Sequence, residues 1–230
     1  MEGSTFLLPF VSKTLMTATE IAPDRIGTSS WDTMYMAKVD AIRGVRTGRL
    51  LQYDPSDNSV KVLARNLFFP NGIAVDQDEV YIYFTETFTL RLLKYSLYTG
   101  ELEPIIDGGL TGYPDGVDCA WRGQTAKTSS YCYAVMPSKF LPIMKLLLKI
   151  PPPIDAVFRS LLLALPKTLA PPVAPYGGIV EVDPVDGGIV RLLQDPTGKD
   201  VGMFTGVTVH DNKLYLGSLK NDYIGVYDLA

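Results

Sequence analysis

The chain has 230 residues, 47 % hydrophobic and 20 % charged, which is enough apolar material for a sizeable core. A formal charge of −4 offers no basic face, so no nucleic-acid partner is expected. One histidine and two cysteines exclude a Cys/His zinc site, and any histidine-dependent nucleophilic catalysis would rest on His210 alone.

Residues 1–28 are poorly patterned. The run Phe6–Val11 is too short for the apolar core of an export signal and has no basic segment before it. No stretch reaches the roughly 18 apolar residues of a membrane span, and the compartment stays open. The first strong signal is Gly48-Arg-Leu-Leu-Gln-Tyr-Asp54, an alternating run that meets the turn Pro55-Ser-Asp-Asn-Ser59 and predicts a strand. Phe69-Pro-Asn-Gly-Ile-Ala-Val75 follows, then an aromatic strand over Val80–Thr87. Leu90–Ser96 repeats the first strand, with Ser96 standing 42 residues after Asp54. Tyr113-Pro-Asp-Gly-Val-Asp-Cys119 repeats Phe69–Val75 at an offset of 44, Asn71 to Asp115, and another aromatic strand follows over Ser130–Met136. Cys119 and Cys132, 13 residues apart in one predicted hairpin, suit either a disulfide or two buried thiols.

Residues 138–176 break the pattern. They predict two short amphipathic helices, Leu141–Lys149 and Ile154–Leu165, each ended by proline. Leu, Ile and Phe side chains together with Lys145, Lys149, Arg159 and Lys167 suit a flap over one end of the domain, the favoured reading. They also suit peripheral contact with a membrane surface. Strand patterns resume at Gly178–Pro184, Phe204–Val209, Lys213–Leu219 and Ile224–Asp228.

Two interleaved repeats with a period in the low forties, each built of short strands, specify an all-β chain with a β-propeller fold. The distance from Ser96 to Asp183 is 87 residues, about two periods, so one repeat has taken in the helical insertion at 138–176. The repeats amount to about four blades, and the poorly matching start gives the expectation that 1–230 is the later, partial portion of a longer propeller. In such a fold, the turns entering the inner strands face the central channel. Asn71, Asp115 and Thr205 hold equivalent positions there and offer hard oxygen donors suited to Ca²⁺ or Mg²⁺. Pro-Asn-Gly and Pro-Asp-Gly also serve simply as turns. His210 precedes a turn on the outer side and is expected away from the channel.

The strings Thr47–Val75, Tyr83-Phe-Thr-Glu-Thr87, Arg91–Tyr95, Gly112–Val117 and His210–Leu219 together resemble the strictosidine synthase-like family, over about residues 29–230. The resemblance implies a calcium-dependent six-bladed propeller, related to paraoxonases and gluconolactonases and set in the secretory pathway or near a membrane. It implies metal-site candidacy for Asn71 and Asp115 with Ca²⁺ as cofactor. It further implies hydrolysis of a small ester or lactone, with Asp115 activating water and Glu86, in the Phe-Thr-Glu-Thr string, as a second carboxylate. An outward-facing strand glutamate is the plainer reading of Glu86. Two departures stand out. Thr205 follows Phe204 where the founding synthase carries its acid/base glutamate, and a hydroxyl cannot cycle a proton near neutrality as a tuned carboxylate does, so alkaloid condensation is the last of the readings. The segment Arg25–Ser30 lacks the aspartate that family members carry nearby. A non-catalytic propeller that binds a ligand or partner is the alternative to the hydrolase.

Overall fold

The computed structural model describes residues 6–7, 16–20, 42–44, 46, 48–76, 78–121, 130–140, 146, 149–151, 154–164 and 176–229. Strands β1 (Phe6–Leu7), β2 (Met16–Glu20), β3 (Gly48–Asp54) and β4 (Ser59–Leu67) form a first antiparallel sheet in that order. A second follows as β5 (Pro70–Val75), β6 (Tyr81–Glu86), β7 (Arg91–Ser96) and β8 (Leu102–Asp107). The small pair β9 (Gly112–Tyr113) and β12 (Ser138–Lys139) clips the start of the third sheet to its insertion. That third sheet is β10 (Val117–Trp121), β11 (Ser130–Met136), β13 (Gly177–Val182) and β14 (Ile189–Asp195). The fourth is β15 (Phe204–His210), β16 (Lys213–Ser218) and β17 (Gly225–Asp228). The fold is therefore a β-propeller of four blades with a helical insertion.

The two sequence repeats turn out to be different strands of one blade. The Pro-Asn-Gly type supplies the first strands β5, β10 and β15, and β10 packs against both of the others. The Gly48–Asp54 type supplies the third strands β3, β7, β13 and β17. Missing from the sequence reading are β1 and β2, within the poorly patterned 1–28, and the outer strands β4, β8 and β14. The outer strands are largely exposed, so no hydrophobic alternation marks them.

Strand alternation divides the core into layers between blades. On β6, Ile82 and Phe84 point toward the first blade and join Leu50, Leu67 and Ile73. Tyr83 points the other way, into a layer with Val117, Cys119, Cys132 and Ala134 of the third blade. On β11 the same rule sends Tyr133 and Val135 toward Phe204, Val207 and Leu214 of the fourth. Each fully buried Leu, Ile or Phe contributes about 1.5–3 kcal/mol to this stacking. Polar ties reinforce it, since the Asp118 Oδ2 on β10 accepts the Val209 N–H of β15 at 2.8 Å. Cys119 and Cys132 lie directly opposite each other on β10 and β11 and form a disulfide, which decides between the two alternatives the spacing allowed.

The insertion leaves blade three after β11 and returns at β13. Its second predicted helix is present as α1 (Ile154–Ala164). Most of the first, and Arg25–Ser30, lie outside the described residues. Arg159 fastens α1 to the body: its guanidinium bonds Asp155 Oδ2 at 3.2 Å and the Ile42 carbonyl at 2.6 Å. Leu162, on the same side of the helix, packs in a cluster with Phe88, Tyr113, Phe140 and Ile150.

Candidate functional site at the entry to the inner strands

The three equivalent turns are joined by backbone hydrogen bonds from blade to blade. Gly72 N–H donates to the Asp115 carbonyl at 3.0 Å, and Gly116 N–H donates to the Thr205 carbonyl at 3.1 Å. Only glycine allows this approach, because a Cβ at position 72 would stand 2.3 Å from the Asp115 oxygen and one at 116 would stand 2.5 Å from the Thr205 oxygen. The turn sequence thus does more than reverse the chain. It brings the residue before each glycine alongside its counterpart in the next blade.

Asn71 and Asp115 meet as a result, and their side chains are hydrogen-bonded. The Asn71 amide also donates to Thr87 Oγ1 at 3.4 Å. Burial pushes the Asp115 carboxyl up to about 7, with the Asn71 hydrogen bond opposing part of that rise. A carboxyl poised near neutrality and next to an amide can gain or lose a proton or receive a hard cation. Thr205 joins the series through its carbonyl and is half-buried.

Two threonines that the sequence reading passed over fix this turn. Thr85 Oγ1 donates to the Asp115 carbonyl at 2.5 Å, and Thr87 Oγ1 donates to the Pro114 carbonyl at 2.8 Å. Thr85 sits on the side of β6 that faces blade three, and Thr87 follows the strand directly. Glu86, between them, points to blade one. Its carboxylate accepts the Phe68 N–H at 2.5 Å and the Thr89 hydroxyl, and it pairs with Arg46 at 3.1 Å and Arg91 at 3.9 Å. Glu86 is buried, so it is not the outward-facing strand residue of the plainer reading. Its partners are two guanidinium groups, a backbone N–H and a hydroxyl, through which it ties the Phe68–Thr89 corner together. The signal that separates the threonines from the glutamate is the period of two along the strand.

Aromatic rings wall the same end. Phe69 and Tyr113 occupy equivalent places two residues before Asn71 and Asp115, and Phe88 bridges them with centroids 4.8 and 6.0 Å away. Phe140 extends the row, 5.1 Å from Tyr113. Phe69 is held at φ 59°, a left-handed conformation that costs about 1–3 kcal/mol for a bulky residue. Its carbonyl accepts the Thr87 N–H at 3.1 Å, which helps hold it there. His210, by contrast, lies exposed at the β15–β16 turn, 3.4 Å from Asp211.

The donors agree with a hard divalent cation in kind: carboxylate, amide oxygen and hydroxyl or carbonyl. In number they fall short of the six to eight oxygens of Ca²⁺. Among the described residues no three His, Cys, Asp or Glu side chains cluster as a metal site.

Successive antiparallel sheets that meet through their first strands define a β-propeller, with the candidate site where those strands begin. Residues 28–100 match the family model of strictosidine synthase. Strictosidine synthase-like protein 6 of Arabidopsis thaliana is 30 % identical over 196 residues, 85 % of this chain and 48 % of that protein. The adipocyte plasma membrane-associated protein of Danio rerio is 30 % identical over 186 residues, 80 % of this chain and 43 % of that one. The chain is a homologue of the strictosidine synthase-like proteins. It spans about half the length of the curated relatives it matches. Among solved structures, a luciferin-regenerating enzyme aligns at TM-score 0.51 and 16 % identity, over 91 % of this chain and 52 % of its own. Regucalcin from Agrobacterium tumefaciens, described as a calcium-binding protein, aligns at TM-score 0.50 and 14 % identity over the same shares. At these identities the likeness is one of fold.

Proposed function

We propose that Asn71 and Asp115 contribute hard oxygen donors to a Ca²⁺ site in the propeller channel, and that the protein hydrolyses a small ester or lactone there. The observation that carries this reading is the half-buried, desolvated Asp115 carboxyl, raised to about 7 and held against the Asn71 amide by the glycine-dependent blade contact. The calcium-binding description of regucalcin, which shares the fold, supports the choice of ion. A bound cation would polarise the substrate carbonyl. Asp115 would accept a hydrogen bond from the attacking water and orient it toward that carbonyl. Asn71 orients that carboxyl, and Phe69, Phe88 and Tyr113 keep bulk water from the entry. Thr205 in place of a glutamate argues against condensation chemistry.

Calcium titration followed by thermal melting tests the site, because a ligand that binds only the folded state raises the melting temperature. A rise of about 5 °C or more at saturating Ca²⁺ is expected. Asp115→Ala should abolish that rise together with calcium-dependent hydrolysis of an aryl ester or lactone. Unchanged hydrolysis in Asp115→Ala would defeat the proposal. The small number of donors among the described residues favours one other reading, a propeller that binds a ligand without turning it over. A calcium-dependent melting shift with no hydrolysis of any ester would establish it.

A further inference from the structure

Helix α1 carries two faces of unlike purpose. Asp155, Arg159 and Leu162 turn inward, where Arg159 is 8 % exposed and tied to the Ile42 carbonyl. Ile154, Val157, Phe158 and Leu161 recur at the spacing of one helical stripe and turn outward, with 62, 64, 41 and 61 % of their surfaces exposed. Four large apolar side chains aligned on a helix this firmly pinned form a patch of the kind that marks an interaction surface. With 11 residues, α1 cannot cross a bilayer, and no helix among the described residues is long and apolar enough to do so.

Charge indicates what covers the stripe. Residues 138–176 contain Lys139, Lys145, Lys149, Arg159 and Lys167 against the single acid Asp155, a net +4 within a chain of net −4. Pairing of two copies through identical stripes would bring two +4 segments together, which like-charge repulsion opposes. An anionic surface with an apolar interior satisfies both the stripe and its charge.

We propose that the outer face of α1 docks this end of the propeller onto an anionic lipid surface, with Ile154, Val157, Phe158 and Leu161 entering the headgroup boundary and the exposed Lys149 near the phosphates. The helix then lies in the interface plane, and its inward face stays seated on Phe140 and Tyr113. Binding of this kind is reversible, strengthens about fivefold for each lysine near the surface, and weakens with salt. It is independent of any reaction in the channel.

Co-sedimentation of the full chain with phosphatidylserine-containing vesicles, and with vesicles of phosphatidylcholine alone, tests it. The chain should pellet with the anionic vesicles, remain mostly in solution with the neutral ones, and be released by high salt. Val157→Asp combined with Leu161→Asp should lower the affinity at least tenfold with an unchanged melting temperature, because both side chains already face solvent. The milder pair Val157→Ser and Leu161→Ser should lower it severalfold and serves if the charged pair disturbs folding. Lys149→Glu should weaken binding to anionic vesicles only. The proposal fails if the chain stays in solution with both vesicle types, or if the folded Asp pair pellets as well as the parent. It also fails if light scattering finds a dimer, without lipid, that the Asp pair dissociates.

Discussion

Glu86 is a buried carboxylate and Asp115 a half-buried, strongly desolvated one on neighbouring blades, and they have opposite surroundings. Glu86 receives a backbone N–H, a hydroxyl and two guanidinium groups. Asp115 has Asn71 as the hydrogen bond that opposes its desolvation, and its pKa rises. Burial by itself therefore says little about function. The balance between desolvation and compensating donors decides whether a carboxylate is a structural anchor or a group held ready to exchange a proton or bind a cation.

The largest expected effect follows from that balance. Asp115 is raised from about 3.8 to about 7 by folding, so the native state holds its proton more tightly than the unfolded chain. Its contribution to stability is full below about pH 4, falls as pH climbs toward 7, and stays reduced above that, by up to about 4 kcal/mol. Asp115→Asn should remove this slope and raise the stability in urea at pH 8. If the variant is destabilised there, the contrast with Glu86 collapses. Next comes Gly72→Ala, which drives a methyl group into the Asp115 carbonyl and should cost about 3 kcal/mol in denaturant melts. Glu86→Gln should destabilise by about 2 kcal/mol, the opposite sign to Asp115→Asn at pH 8. The figure is discounted because the Arg46 and Arg91 side chains are 43 % and 35 % exposed. Smallest is Gly206→Ala. No atom lies within 4 Å of its Cβ position, and the change should stay within about 0.5 kcal/mol. An equal loss at 72 and 206 would show that chain entropy, and not the blade contact, sets the cost of removing these glycines.

Much of the fold was legible in the sequence, because β3 and nearly all the inner strands of the second to fourth blades face packed layers and their apolar residues recur with the period of the repeat. The outer strands were not. Ser59–Leu67 and Ile189–Asp195 look outward along most of their length, and exposure erases the alternation that identifies a strand. At the site, the pairing of Asn71 with Asp115 could be read from equivalent positions. The division of labour along Thr85-Glu86-Thr87 could not, since it depends on which face of β6 meets blade three. The disulfide stayed open for a similar reason: 13 residues of separation do not state that Cys119 and Cys132 fall in register.

The missing side chains at Gly72 and Gly116 also fix a length. They set how closely the first strands of three blades gather at the level of Asn71 and Asp115. The size of any group that enters between these turns would be set by the backbone spacing as much as by the side chains. Enlarging either glycine would push these strands apart before it altered a single side chain around them, so spacing and folding at this point are one property of the same two residues.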